Sequence, residues 1–403
     1  MPLRNRMRTI KVLMLGWEFP PKNTGGLGTA CYGLTKGLVK NNTEITLILP
    51  YDIDNTIEKL KILSTSDIKV EWVKTILSPY MTYNDYNTRR LKYKSQIYGK
   101  DLAEEVERYT RNAIEMSKSE DFDVVHCHDW MTFKAGMGIK EFSKKSLIVH
   151  IHSTEFDRTG GNGANQYVYD IEKAGMYSSD YIIAVSNYTK NMIIRHYGIP
   201  PEKIFVVHNA VWHNNNSAKE NGRLLRKNHK IVLFLGRITL QKGPDYFMYS
   251  AKKALDIEPN LLFVIAGKGD MEQYIIEKSA ELGIADKVIF TGFLTESEVN
   301  SVYRMADVYV MPSVSEPFGI TTLEAMNNGT PVIISRQSGV SEIVNHCLKV
   351  DFWDINQIAS KIISVVRYNE LKECLVENSS NEVMRFSWDT SAKRCIEVYQ
   401  KCL

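Results

Sequence analysis

The sequence predicts an α/β protein of two domains, each an open parallel sheet covered by helices on both faces. Three observations carry that expectation. The chain has 403 residues, more than one hydrophobic core usually organises. Its strand candidates are apolar throughout rather than alternating, as strands buried on both faces are. Strand and helix candidates also alternate in two long series separated by a polar stretch.

In the first series, Ile10 to Leu15 reads as a strand, Leu27 to Val39 as a helix, and Glu44 to Leu49 as a strand ending at Pro50. A helix is expected from about Asp101 to Met116, then a strand at Asp123 to Cys127 entering a turn at His128-Asp129-Trp130. Ser146 to Ile151 is the next strand. Tyr181 to Val185 follows, with Ser186 as the cap of a helix starting near Asn187, and Phe205 to His208 closes the series. Asn214 to Lys230 is rich in Asn, Lys and Arg and reads as a linker.

The second series runs through strands at Ile231 to Leu235, Leu261 to Ala266, Val288 to Phe290, Asp307 to Met311 and Pro331 to Ile334. Helices are expected at about Pro244 to Leu255, Met271 to Leu282, Val299 to Met305, Ile355 to Tyr368 and Thr390 to Lys401. The expected division is therefore 1–213 for a first domain, 214–230 for the linker, 231–380 for a second domain and 381–403 for a terminal helix. The cleft between the strand ends is where ligands of such folds sit.

Composition narrows the function classes. Lys and Arg total 50 against 47 Asp and Glu, a net charge of +3 with no basic tract, which gives no footprint for nucleic acid. The apolar run at Ile10 to Leu15 is too short for a membrane span and leads into a glycine loop rather than a cleavage region. The six cysteines, Cys31, Cys127, Cys347, Cys374, Cys395 and Cys402, are scattered without metal-site spacing and read as isolated buried thiols, which suggests a reducing, cytoplasmic setting.

The chemistry concentrates at strand ends. Gly25-Gly26-Leu27-Gly28 follows the first strand and opens a helix, so its amides can receive a diphosphate or leave room for a sugar; a tight connection alone explains it equally well. Asp129, at a strand end, can accept from a sugar hydroxyl. His126, His128 and Asp129 also invite a metal reading, which the sequence discounts because no third imidazole is tied to them. His152, just past its strand, can bind a sugar hydroxyl or support a transition state; His150 lies two residues earlier on the same strand face, and one of the pair reads equally as a satisfied interior histidine. Arg237 and Lys242 bracket the turn after the second domain's first strand, and two permanent cations there suit a diphosphate leaving group. Surface loops also carry such residues routinely. Glu316 and Glu324 flank a turn at Pro317 to Gly319 and a helix start for which Thr321 or Thr322 is a candidate cap. The amides of Gly319, Ile320 and Thr321 are candidates for the same anion, while Glu324 suits ribose hydroxyls or is simply a first-turn acid.

Together these segments resemble the retaining glycosyltransferases of the two-domain GT-B architecture, with two Rossmann-like domains facing a central cleft. The likeness is to the family 4 group and its relatives the bacterial and archaeal glycogen synthases. Glu316 to Glu324 resembles the family's Glu-x7-Glu motif, and Gly236 to Gly243 its cation loop. Lys22 to Leu27 resembles the Lys-Thr-Gly-Gly-Leu loop with Asn23 inserted, His126 to Trp130 the His-x-His-Asp-Trp segment, and His152 falls where those synthases carry a site histidine.

The resemblance implies contacts to the donor: Gly26 with the diphosphate sugar, His152 with the sugar C6 hydroxyl, and Arg237 and Lys242 with the phosphates. Glu316 would take the sugar hydroxyls and Glu324 the ribose. Gly339 and Glu342 match the segment after the nucleotide loop, and Phe386-Ser387-Trp388 the final helix that crosses back to the first domain. The departure at Asn209-Ala210-Val211-Trp212, where many members have Asn-Gly-Val-Asp, leaves any acceptor role there unassigned. The implied function is transfer of glucose from ADP- or UDP-glucose to an alpha-1,4-glucan. The alternatives are a lipid, small-sugar or cell-surface glycan acceptor, or a glycan-binding or regulatory protein that has lost transfer. No Asp-x-Asp element accompanies the site, so no cofactor or metal is expected for the reaction.

Overall fold

A computed structural model describes residues 8–21, 25–54, 57–65, 102–161, 163–213 and 229–403. Lys22, Asn23 and most of the expected linker lie outside the described residues.

The first domain is a seven-stranded, wholly parallel sheet in the order β3-β2-β1-β4-β5-β6-β7. Its strands are β1 (Ile10–Leu15), β2 (Thr43–Leu49), β3 (Leu60–Ser64), β4 (Val124–His128), β5 (Ser146–Ile151), β6 (Tyr181–Ala184) and β7 (Ile204–Val206). Helix α1 (Gly26–Lys40) links β1 to β2, and α2 (Leu102–Ser117) precedes β4. Then α3 (Trp130–Ser143) follows β4, the short α4 (Glu155–Arg158) and α5 (Gln166–Ser178) follow β5, and α6 (Asn187–Tyr197) links β6 to β7. Ser186 caps α6 by accepting from the amide of Thr189, and left-handed Gly198 ends it.

The second domain is a six-stranded parallel sheet in the order β10-β9-β8-β11-β12-β13. It comprises β8 (Lys230–Leu235), α7 (Pro244–Leu255), β9 (Leu261–Ala266), α8 (Glu272–Glu281), β10 (Val288–Gly292), α9 (Glu296–Met305), β11 (Val308–Met311), α10 (Ile320–Asn327), β12 (Val332–Ser335), β13 (Leu348–Val350), α11 (Ile355–Arg367) and α12 (Asn369–Val383). Helix α9 starts at Glu296 rather than Val299, because Thr295 and Glu298 form a capping box that adds most of a turn. β3, β13, α3, α5 and α12 have no counterpart among the expected elements. The two strands are short, and β3 and β13 lie at sheet edges where the apolar run is weakest.

The last helix, α13 (Trp388–Gln400), packs on α1 of the first domain. The contact depends on two glycines one turn apart. A Cβ on Gly33 would meet the indole of Trp388 at 2.1 Å, and one on Gly37 would meet the Trp388 carbonyl oxygen at 2.4 Å. Asp389 accepts from the Asn41 amide side chain at 2.9 Å, and the Tyr399 hydroxyl reaches Nδ1 of His126 at 2.7 Å. Trp388, Cys395 and Tyr399 thus belong to a core that covers one face of the first sheet and continues onto the second. The cysteines are all free, but only Cys31, Cys127 and Cys395 are buried; Cys347 and Cys402 are half-buried and Cys374, on the outer side of α12, is exposed, so the expectation of buried thiols holds for three of the six.

Candidate active site

In each sheet the strand order reverses once, between β1 and β4 in the first and between β8 and β11 in the second. Chains leaving two neighbouring strands in opposite directions open a crevice at that point. The loops bordering the two crevices are those after β1, β4, β8 and β11. They carry Gly25 and Gly26, Asp129, Arg237 and Lys242, and Glu316 respectively.

The second domain's loops are held in one piece. Arg237 donates to the Gln241 side chain at 3.4 Å, and the Val314 amide donates to the Gln241 carbonyl at 2.9 Å, tying the cation loop to the acidic loop. Lys242 donates to Glu316 Oε2 at 2.5 Å, and Ser313 donates to the same oxygen at 3.2 Å. Glu316 is buried; its amide donates to Gln337 and its carbonyl accepts from the Gly339 amide at 2.8 Å. Two residues separated by 74 positions therefore form a single charged feature.

Gly319 caps α10 with φ +104, a conformation that L side chains rarely adopt, and no side chain caps the helix. The expected threonine cap is not formed. Thr321 lies inside the first turn and accepts from the Tyr309 hydroxyl at 2.8 Å, while Thr322 turns to Met311 Sδ at 3.5 Å. The first amides of α10, including those of Ile320 and Thr321, are left without a side-chain cap, as suits an anion. Glu324 lies one turn in and accepts from the Tyr303 hydroxyl at 3.2 Å. Burial pushes its carboxyl up to about 7, with the Tyr303 hydroxyl opposing the shift.

The first domain's loops are braced by Asp129. It has φ +57, an unusual backbone for a non-glycine residue, and its Oδ1 accepts from the amides of His152 at 2.7 Å and Ser153 at 3.4 Å. Burial raises its carboxyl to about 7, against the pull of Arg158. His152 is 5% exposed, and its Nε2 lies 2.9 Å from Nδ1 of His128. At the start of α1, Gly25 stands as an extended cap with no side-chain bond, and a Cβ on Gly26 would meet nothing within 4 Å among the described residues.

The missing third imidazole is supplied by the fold. β4 and β5 pair with His128 opposite His150, so His126, His128, His150 and His152 form a ladder on one face. The sequence discount rested on spacing along the chain, whereas parallel pairing joins residues 22 positions apart.

Several contacts across the two domains have no motif behind them. The Ser186 and Thr189 hydroxyls donate to the Pro317 carbonyl at 2.6 and 3.2 Å. Ser315 donates to Asp157 at 2.6 Å, and Tyr188 pairs with Ser315 at 3.0 Å. Glu342 accepts from the amides of Asn187 and Tyr188 at 2.9 and 3.2 Å, and from Nε2 of His208 at 2.6 Å. The only signals in the sequence were Ser186 as a helix cap and the segment around Glu342. Beside this seam, Arg158 is buried between Glu155 and Glu172, with Tyr197 on Glu172, and donates to the Ser153 carbonyl at 3.0 Å.

Two parallel-sheet domains joined across a seam, one bearing cations, an acid and an uncapped helix start at its switch point, define a nucleotide-sugar glycosyltransferase. The comparisons give the same class. A family model for group 1 glycosyl transferases matches residues 216–382, and one for the starch synthase catalytic domain matches residues 11–205. The chain is 32% identical to an uncharacterized glycosyltransferase of Methanocaldococcus jannaschii, over 97% of this chain and 98% of that one. A glycogen synthase of Mycobacterium tuberculosis is 25% identical over 83% of this chain and 80% of its own. A D-inositol 3-phosphate glycosyltransferase of Acidothermus cellulolyticus is 27% identical over 70% and 68%. Among solved structures, the fold is shared with sucrose-phosphate synthase from Thermosynechococcus elongatus, with TM-score 0.76, 17% identity and coverage of 97% and 98%. The chain belongs to the GT-B glycosyltransferases related to the glycogen and starch synthases. No helix among the described residues is long and apolar enough to cross a membrane.

Proposed function

We propose that the protein is a retaining glycosyltransferase that moves a hexose from a nucleotide diphosphate sugar to a hydroxyl of a small-sugar, polyol-phosphate, lipid or cell-surface glycan acceptor. The observation that carries this reading is the Lys242–Glu316 pair beside the uncapped start of α10. It gathers the groups a leaving diphosphate and a bound sugar require. Arg237, Lys242 and the amides of Gly319, Ile320 and Thr321 would hold the diphosphate. Glu316 would take sugar hydroxyls and Glu324 the ribose, with His152, Gly25, Gly26 and Asp129 on the opposite wall.

In the reaction the bond from the sugar's anomeric carbon to the diphosphate oxygen breaks as the acceptor oxygen bonds to that carbon on the same face. The acceptor proton passes to the departing phosphate oxygen, so no protein nucleophile or metal is invoked. The cations act on charge that grows in the transition state. Domain closure would align both substrates and exclude water.

The narrower reading, glucose from ADP- or UDP-glucose to an alpha-1,4-glucan, stands second. The match of the first domain to the starch synthase model favours it. Relatives whose names specify an inositol phosphate weigh toward the broader acceptor class.

The test is a panel of ADP-, UDP- and GDP-sugars. Each is offered with glycogen, maltooligosaccharides, inositol phosphate, a lipid-linked sugar or no acceptor, and released nucleotide and product anomer are measured. Transfer with retention to a non-glucan acceptor is expected. Extension of glucans alone would replace the broad reading with the narrow one, and an inverted product would overturn both.

A further inference from the structure

The histidine ladder is not accounted for by donor binding. Only His152 stands at the strand-end loop; His126, His128 and His150 run back into the sheet, each at most 1% exposed. They lie under α1, which contributes Cys31 near His128 and His152, and under α13, which contributes Tyr399. Four imidazoles on one buried face would ordinarily be bonded to neighbouring groups. Here Nε2 of His126, Nε2 of His128 and both nitrogens of His150 have no partner among the described residues. One nitrogen from each of His126, His128 and His150 can be chosen so that all lie within 4.8 Å of one another.

The remaining nitrogens are fixed. His126 Nδ1 lies 2.7 Å from the Tyr399 hydroxyl, and His128 Nδ1 lies 2.9 Å from Nε2 of His152. A single tautomer assignment serves all these contacts. With protons on Nδ1, His126 donates to the tyrosine oxygen and His128 donates to His152, and the Nε2 lone pair of each is left without a partner among the described residues. Outer partners that fix the tautomer and orientation of each ring are what metal-binding histidines ordinarily have.

We propose that His126, His128 and His150 bind one divalent transition-metal ion of the zinc class between the first sheet and the terminal helix. Three imidazole nitrogens with an open fourth position are a recurrent set for such ions. Nitrogens around a tetrahedral ion at about 2.0–2.1 Å stand roughly 3.3 Å apart, so binding requires small ring rotations. The Asp129 Oδ2 atom, buried without a partner among the described residues, lies next to His128 in the chain. The site is separate from the groups assigned to the diphosphate, and its effect is to tie the terminal helix to β4 and β5.

The experiment uses the full chain, stripped with chelator and titrated with Zn²⁺ and, separately, Co²⁺. Bound metal is measured by elemental analysis after desalting, alongside visible spectra and melting temperature. About one equivalent should be retained, the Co²⁺ spectrum should show ligand-field bands without a thiolate charge-transfer band, and melting should rise. His150→Gln should abolish the retained equivalent. Tyr399→Phe keeps every ligand and should weaken affinity about 10–100-fold, which tests the site if the histidine variant does not fold. Substoichiometric metal in the parent chain, a thiolate band placing the ion on cysteine, retention unchanged by His150→Gln, or affinity unchanged by Tyr399→Phe would each overturn the site.

Discussion

The Lys242 ammonium lies 2.5 Å from the Glu316 carboxylate, so the cation assigned to the phosphates and the acid assigned to the sugar meet at one point. On the proposed roles, donor binding would redistribute this pair, the lysine turning toward phosphate as Glu316 takes sugar hydroxyls. Lys242→Ala should lower kcat/KM by about 10²–10³-fold, the scale of losing one transition-state donor. Lys242→Arg should recover part of it. Unchanged kcat/KM in folded Lys242→Ala protein would remove the lysine from the phosphate site.

Glu324 should give the protein a pH signature. Its carboxyl is raised by burial from an ordinary value near 4.5 to about 7, so the folded protein retains a proton that the unfolded chain releases. The contribution to stability is complete below about 4.5 and is lost as pH rises through 7. Melting temperature across this range should fall less in Glu324→Gln than in the parent. The same variant should raise KM for the donor if the carboxylate holds the ribose, and equal pH slopes in the two proteins would remove Glu324 as their source.

Glu342 has the opposite sign. Burial pushes its carboxyl up, but hydrogen bonds from His208 and from the amides of Asn187 and Tyr188 outweigh it and hold the group below the usual carboxylate range. Its contribution to the seam is present above the ordinary value near 4.5 and is lost as pH falls through its lower folded value. Glu342→Gln at neutral pH should therefore loosen the domains as acid does in the parent. Distance distributions between fluorophores on the two domains would reveal this, and an unaltered distribution would show the seam to be held without Glu342.

Gly33→Ala should destabilise the first domain. The added methyl overlaps the Trp388 indole, and overpacking of this kind costs about 1–3 kcal/mol. Trp388→Ala, which removes the ring, should cost about 3–5 kcal/mol. In the double variant the clash is absent, so the two effects should add to less than their sum. Strict additivity in thermal or denaturant melts would show that the glycine and the indole do not share this contact.

The parallel sheets were legible because their strands are apolar on both faces, a property written locally at Ile10 to Leu15 or Leu261 to Ala266. The loops carrying Arg237, Lys242, Glu316 and Glu324 were legible because cations, acids and glycines cluster within short segments. What joins distant segments was not. Nothing near His126 indicates that it will stack with His150, since that depends on strand register. Nothing near Asp157 indicates that Ser315 will bond to it, since that depends on how the domains meet. Thr321 and Thr322 have good capping chemistry, but the tyrosine and methionine of the neighbouring strand compete for them.

The return of α13 to α1 also sets an order of events during synthesis. Trp388, Cys395 and Tyr399 complete the core beneath the first sheet, so about half a chain emerging from the ribosome has most of that sheet but not its cover. The second domain shares this core, since Leu233, Tyr309 and Val332 lie in it with Trp388, and only the other face of its sheet has a core of its own. Although domains generally fold in N-terminal order, here the part made first is completed by the part made last, and a chain halted before residue 388 would lack the residues that close the core common to both sheets.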